Sequence, residues 1–158
     1  MLSKLIMCVG LILRLLFGSV EVENWNSIIS SAESVVVYTS GEKINIDRDN
    51  ESFGLIVDEF LEMIDGGYDM PAFGVSLDTE TRNVMSTGLW LEFVFDKTHE
   101  YNDMPFESLL IELNPEYSGF NLIRKANGKY EGRCFYISLV DKDMSKLCLM
   151  VNSITDKN

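Results

Sequence analysis

The chain holds one histidine, His99, in 158 residues. Any mechanism that needs two imidazoles is excluded by that count. Cysteine is as scarce. Cys8, Cys134 and Cys148 make an odd number with no paired spacing, so neither a disulfide framework nor a zinc site is encoded. Three reduced thiols, two of them small core residues, fit this pattern and suit a reducing compartment. Positive charge is also short: 13 Lys and Arg stand against 25 Asp and Glu, for a net charge of −12. The first 20 residues carry Lys4 and Arg14 and no acid, so every acid lies in the body that follows. A body this acidic repels phosphate backbones, and nucleic acid is not an expected partner. No serine sits in a G-x-S-x-G elbow, no cysteine has a histidine beside it, and Gly18 and Gly66-Gly67 build no phosphate loop. No cofactor and no catalytic residue is expected from these absences.

What remains is ordinary globular material, 46% apolar and 24% charged. The length suits one domain with a sizeable core. The boundary falls near residue 20: an apolar segment over 1–20, then one domain over 21–158. Leu5 to Phe17 reads LIMCVGLILRLLF, interrupted only by Arg14. A bilayer span wants about 20 apolar residues, so this run is short for one. As a signal peptide it has a basic start but a charge inside its apolar run and no clean small-x-small site. On a helical wheel Ser3, Met7, Gly10, Arg14 and Gly18 form one stripe and the rest of the circumference is apolar. Membrane association or export through residues 1–18, with Arg14 snorkelling, is the expectation. Burial of the segment within a cytoplasmic protein, or a misassigned start, are the alternatives.

The body alternates helical and strand signals. Asn24 can cap a helix with Trp25, Ile28, Ile29 and Ala32 on one face. Ser34–Thr39 and Lys43–Asp47 read as a hairpin closed at Ser40-Gly41-Glu42. Asp49 is the expected cap of a helix whose apolar face is Phe53, Ile56, Val57, Phe60, Leu61 and Ile64, and Gly66-Gly67 ends it. Tyr68–Ser76 reads as irregular. Asp78 is the expected cap of a short helix through Met85. From Gly88 a strand meander begins: Leu89, Leu91, Phe93 and Phe95 alternate with Trp90, Glu92, Val94 and Asp96. Lys97–Pro105 reads as a long polar loop before a strand over Ser108–Leu113. Asn127-Gly128, the strongest two-residue turn signal, closes the last hairpin. Closure there is expected to pair Arg124 with Glu131, Leu122 with Arg133 and Phe120 with Phe135. Asp143 caps a closing helix with Met144, Leu147, Cys148, Val151 and Ile154 inward. The fold class is α+β: an antiparallel sheet of about five to six strands with helices mainly on one face, preceded by an apolar N-terminal helix.

Two constellations carry chemistry. Asp96, His99, Glu100 and Asp103 crowd ligand-type side chains into the 96–103 stretch, where a single metal or a histidine–carboxylate pair is conceivable. A solvated loop is the plainer reading, because these residues have no recognised ligand spacing. Arg124, Lys125, Lys129 and Arg133 put four basic residues on one hairpin, a possible anion contact, with cross-strand pairing to Glu131 as the plainer reading. Asp47-Arg48-Asp49-Asn50-Glu51 opens like a calcium loop but has Ser52 at the sixth position and Asp58 at the twelfth, which rejects it. Pro71-Ala72-Phe73 and Met104-Pro105-Phe106 are either a partner surface or core.

In size and acidity the chain resembles bacterial immunity and inhibitor proteins, a likeness of composition. It implies an acidic surface that binds a basic protein partner. The expected function is a non-catalytic binding or accessory domain. An immunity-type inhibitor is one alternative, and a metal-assisted hydrolase using the 96–103 stretch is the other. Enzymatic activity is not expected, and a protein partner is possible.

Overall fold

The computed structural model describes residues 24–70 and 74–156. The apolar segment, its expected helix and its membrane contact lie outside the described residues, as do Pro71, Ala72 and Phe73. The element order is α1 (Trp25–Ser30), β1 (Ser34–Thr39), β2 (Glu42–Asp47), α2 (Glu51–Ile64), β3 (Tyr68–Met70), β4 (Val75–Ser76), α3 (Asp78–Met85), β5 (Leu89–Tyr101), β6 (Met104–Glu112), β7 (Gly119–Lys125), β8 (Gly132–Arg133), β9 (Phe135–Ser138) and α4 (Ser145–Thr155). Seven strands form one antiparallel sheet in the order β2-β1-β5-β6-β7-β9-β3, and β4 pairs β8 in a small second sheet. Among the described residues no helix is long and apolar enough to cross a membrane.

The α+β class and antiparallel pairing agree with the sequence. The strand count of five to six does not, because β3 adds a seventh at the edge beside β9. Three exposed residues are too few to show an alternation, so the strand was read as irregular chain. A second difference is the expected loop at 97–105. It is strand on both sides of a two-residue turn, Asn102-Asp103, where φ is +49° and +59°. His99 pairs with Phe106, Glu100 with Pro105 and Tyr101 with Met104. A register shift between Val94 and His99 absorbs the break in alternation.

Helix starts follow cap chemistry with three corrections. Asn24 caps α1 by accepting from Ser27 N–H at 2.9 Å. The cap of α2 is Asn50, not Asp49: Asn50 is extended and its side chain accepts from Ser52 N–H at 2.9 Å. Asp78 is the first residue of α3 rather than its cap, which is Leu77. The Asp78 carboxylate is directed elsewhere, to Tyr130 N–H and to Arg82. The cap position of α4 is Met144, not Asp143, whose side chain one residue earlier accepts from Ser145 N–H at 2.8 Å.

The last hairpin turns where expected, with φ of +52° at Asn127 and +75° at Gly128 and a bridge from Ala126 to Lys129. Its strand pairing is two residues out of the expected register: Leu122 faces Phe135 and Phe120 faces Ile137. The chain leaves the sheet over 130–134, where β8 pairs β4 and Cys134 N–H donates to Gly74 O at 2.9 Å. The excursion takes up two residues, so side chains keep their faces. Phe120, Leu122, Phe135, Ile137 and Leu139 remain on one buried face as expected.

Helices α1, α2 and α4 bury their apolar stripes against that face, together with Val35, Val37, Leu91, Phe93, Leu109 and Ile111. The opposite face is covered over part of its area by α3 and the 130–134 excursion. There Met85, Trp90, Leu110 and Tyr130 form a smaller cluster, with Tyr38 and Ile123 against it. Helices therefore lie mainly on one face, and α3 on the other.

Candidate functional site

Strand register assembles the polar centre of that second face. Val36 pairs with Glu92, Glu92 with Leu110 and Leu110 with Ile123. One row along, Val94 pairs with Ser108 and Ser108 with Lys125. One row the other way, Tyr38 pairs with Trp90. Diagonal neighbours on one face are within reach of long side chains, so Tyr38, Ser108 and Lys125 converge on Glu92 from three strands. Tyr130 arrives from the excursion and completes the set.

Glu92 is 2% exposed. Its Oε2 accepts from the Tyr38 hydroxyl at 2.7 Å, and its Oε1 accepts from the Tyr130 hydroxyl at 2.8 Å and from Ser108 Oγ. Lys125 Nζ stands 3.9 Å from Oε1. A buried carboxylate is tolerable only with such partners. Both tyrosines are held well above their ordinary pKa. For Tyr38 the causes are burial, the hydrogen bond to Glu92 and its charge; for Tyr130 they are burial, the Glu92 charge and the hydrogen bond to it.

Above this floor lies a cavity of about 410 Å³, lined by Tyr38, Lys43, Arg82, Met85, Lys125 and Tyr130 with Gly41 and Ser86. Three different segments supply its cations: the β1–β2 hairpin, α3 and the end of β7. Arg82 Cζ sits 5.0 Å and Lys125 Nζ 5.2 Å from the centre of the Tyr130 ring, and Lys43 Nζ 5.9 Å from that of Tyr38. Arg82 is fixed by Asp78, whose carboxylate receives its Nε at 3.0 and 3.1 Å, and by Gly128 O, which receives its Nη2 at 2.9 Å. Asp78 also accepts from Tyr130 N–H at 2.8 Å. The Arg82 contact, then this backbone bond, hold the Asp78 carboxyl below its usual range. Helix α3 is thereby tied to the excursion, and the cavity wall to its floor.

The residues singled out in the sequence separate. His99 is buried, not solvated: it is 3% exposed, 4.8 Å from the Phe95 ring and 5.9 Å from that of Phe106, with Nε2 3.1 Å from Ser31 Oγ. It is core because β5 continues through it and alternation turns its ring inward. Asp96, Glu100 and Asp103 are exposed on the same hairpin and do not join it. Among the described residues no three of His, Cys, Asp and Glu gather to hold a metal. Of the four basic hairpin residues only Lys125 lines the cavity. Arg124 donates to the carbonyls of Arg133 and Pro105 at 2.7 and 2.6 Å, Lys129 is exposed near the turn, and Arg133 lies in the small sheet. Cys134 and Cys148 are buried free thiols, and burial pushes the pKa of each up.

Tyr38, Lys43, Arg82, Glu92, Ser108 and Tyr130 were not legible as a group. One signal was present: Glu92 lies between Trp90 and Val94 on its own face of β5, an acid among apolar neighbours. Searches against protein-family models, curated proteins and solved structures return no match to the chain.

Proposed function

We propose that the chain is a non-catalytic binding domain whose ligand site is the cavity over Glu92. The observation that carries this reading is the gathering of Lys43, Arg82 and Lys125 around one concavity in a protein of net charge −12. The volume is in the range of small-molecule sites, about 300–1,000 Å³. Glu92 is the group best placed for acid–base work, but three hydroxyls occupy it and the sheet encloses it. A general base must reach its substrate's proton, and Glu92 is spent on holding the floor together. Binding, rather than turnover, is what this chemistry serves. Residues 1–18 are proposed to bring the domain to a membrane or to an export route.

Ligand mapping tests the reading. Backbone amide NMR of the whole chain, recorded against panels of anionic, neutral and cationic small molecules, is expected to shift resonances of Tyr38, Lys43, Arg82 and Tyr130 together. A panel in which no compound of any charge moves those four overturns it.

A further inference from the structure

We propose, building on that binding reading, that the cavity takes a small organic anion bearing hydroxyl groups, the chemistry of a phosphorylated or carboxylated polyol. Two sets of groups on the cavity wall specify these two features. The first set is cationic. Asp78 answers Arg82 and Glu92 answers Lys125, while Lys43 forms no ion pair among the described residues and has only the Tyr38 ring beside it. One positive charge is therefore uncompensated at the mouth. Arg82 uses Nε and Nη2 in its bonds to Asp78 and Gly128, which leaves Nη1 to donate. Lys125 lies 3.9 Å from Glu92, an ion pair rather than a close hydrogen bond, so its ammonium protons also remain for a ligand. Charge-assisted bonds to phosphate or carboxylate are the use to which such donors are suited.

The second feature is an acceptor. The hydroxyl protons of Tyr38 and Tyr130 are both committed to Glu92. Tyr130 is fully buried, so its oxygen belongs to the floor. Tyr38 is half-buried, and a phenol that donates elsewhere keeps lone-pair density to accept with, so the Tyr38 oxygen is the acceptor that a ligand over the floor meets. An anion without hydroxyls leaves it unanswered, and a ligand with an O–H group next to its charge satisfies both features. Cationic ligands meet the opposite arrangement, because the one carboxylate below them is already saturated.

Titration calorimetry of the full chain at low salt, with glycerol 3-phosphate, glycerate, inorganic sulfate and glycerol as probes, tests this. The expected order is glycerol 3-phosphate or glycerate above sulfate, which bears no hydroxyl, with glycerol weakest. Which of the first two leads decides between a phosphate and a carboxylate. Lys43→Gln is expected to weaken both by roughly tenfold. Tyr38→Phe is expected to weaken glycerol 3-phosphate by several-fold and leave sulfate unchanged, with a thermal melt confirming that the variant is folded. Glycerol binding as tightly as glycerol 3-phosphate, or a Lys43→Gln effect below twofold, overturns the anion assignment. If neutral or cationic compounds still shift the cavity resonances, the binding reading survives that result. If all four probes fail to bind, the ligand class is wrong, and the NMR panel decides the binding reading separately.

Discussion

The two faces of the sheet are built from the same strands by opposite rules. Beneath α1, α2 and α4 the inward residues are apolar but for buried His99 and the edge carboxylate Glu59, and aromatic rings interlock: Phe60 lies 4.8 Å from Phe93 and 5.9 Å from Phe120. Beneath α3 the same strands present Tyr38, Glu92, Ser108 and Lys125, and the cover is one short helix with an excursion of chain. The first face gains its stability mainly from close packing. The second retains a buried charge that an apolar residue could replace at little cost or some gain, a feature that the proposed binding role would account for. Proteins accept such local conflict where they bind something.

Three substitutions sharpen this contrast, beginning with the largest expected effect. Phe60→Ala empties a fully buried ring site between two other rings and is expected to lower unfolding free energy by about 3–5 kcal/mol. Chemical denaturation with an unchanged m-value would measure it, and a loss under 1 kcal/mol would mean that the helical face is not the main core. Glu92→Gln keeps the shape but exchanges a charged acceptor for an amide with two donors, facing three hydroxyls and Lys125. A loss of about 1–3 kcal/mol is expected from the mismatched bonds. Equal or greater stability would show that the cluster contributes no net stability. Replacing Asn127-Gly128 by Ala-Ala forces alanine into positive φ at two positions and is expected to cost about 1–2 kcal/mol. An unchanged denaturation midpoint would remove the turn as the anchor of the excursion.

The tyrosines give the contrast a pH signature confined to the alkaline side. A group whose folded pKa is raised contributes stability that is fully present below its unfolded pKa, about 10 for tyrosine. That stability falls as pH rises toward the folded value, because the unfolded chain releases its proton first. Tyr38 and Tyr130 are both raised, and Tyr101 is pushed up to about 12 by burial and then by its bond to Asp69. Stability is therefore expected to drop above pH ~10, as tyrosinate absorbance rises. The Tyr38→Phe,Tyr130→Phe double variant is expected to flatten most of that slope. A slope unchanged in the double variant would detach it from Glu92.

The helical face was legible because one-sided burial writes itself in periodicity. Leu91, Phe93 and Phe95 alternate, and Phe53, Ile56, Val57 and Phe60 recur at helical spacing, so strand and helix agreed on a common core. The second face was not legible, for a physical reason. Alternation of apolar with polar residues looks the same whether the polar side meets water or a covering helix, and Glu92, Ser108 and Lys125 resemble a solvated row. The cover itself gave no warning, since α3 buries only Thr81 and Met85. His99 shows the converse. Its neighbours Lys97, Thr98 and Glu100 are polar enough for a loop, yet β5 runs through them, and beyond the register shift His99 and Glu100 pair with β6. Local propensity is outweighed there by the ladder and by two phenyl rings around the imidazole.

The smallest expected effect on stability is also the most discriminating. Lys43 is exposed at the end of β2 nearest the cavity, and its one contact is the Tyr38 ring at 5.9 Å. An exposed cation at that distance from a ring is worth at most about 0.5–1 kcal/mol, and surface substitutions usually fall within about 0.5 kcal/mol. Lys43→Gln is therefore expected to leave the thermal midpoint where it is. On the cavity face the same change removes the one uncompensated positive charge and so acts on ligand affinity alone. Melting curves and calorimetry on a single preparation separate the two. A Lys43→Gln protein that melts several degrees early would place Lys43 among the supports of the fold. That would leave the two faces differing in packing quality and not in purpose.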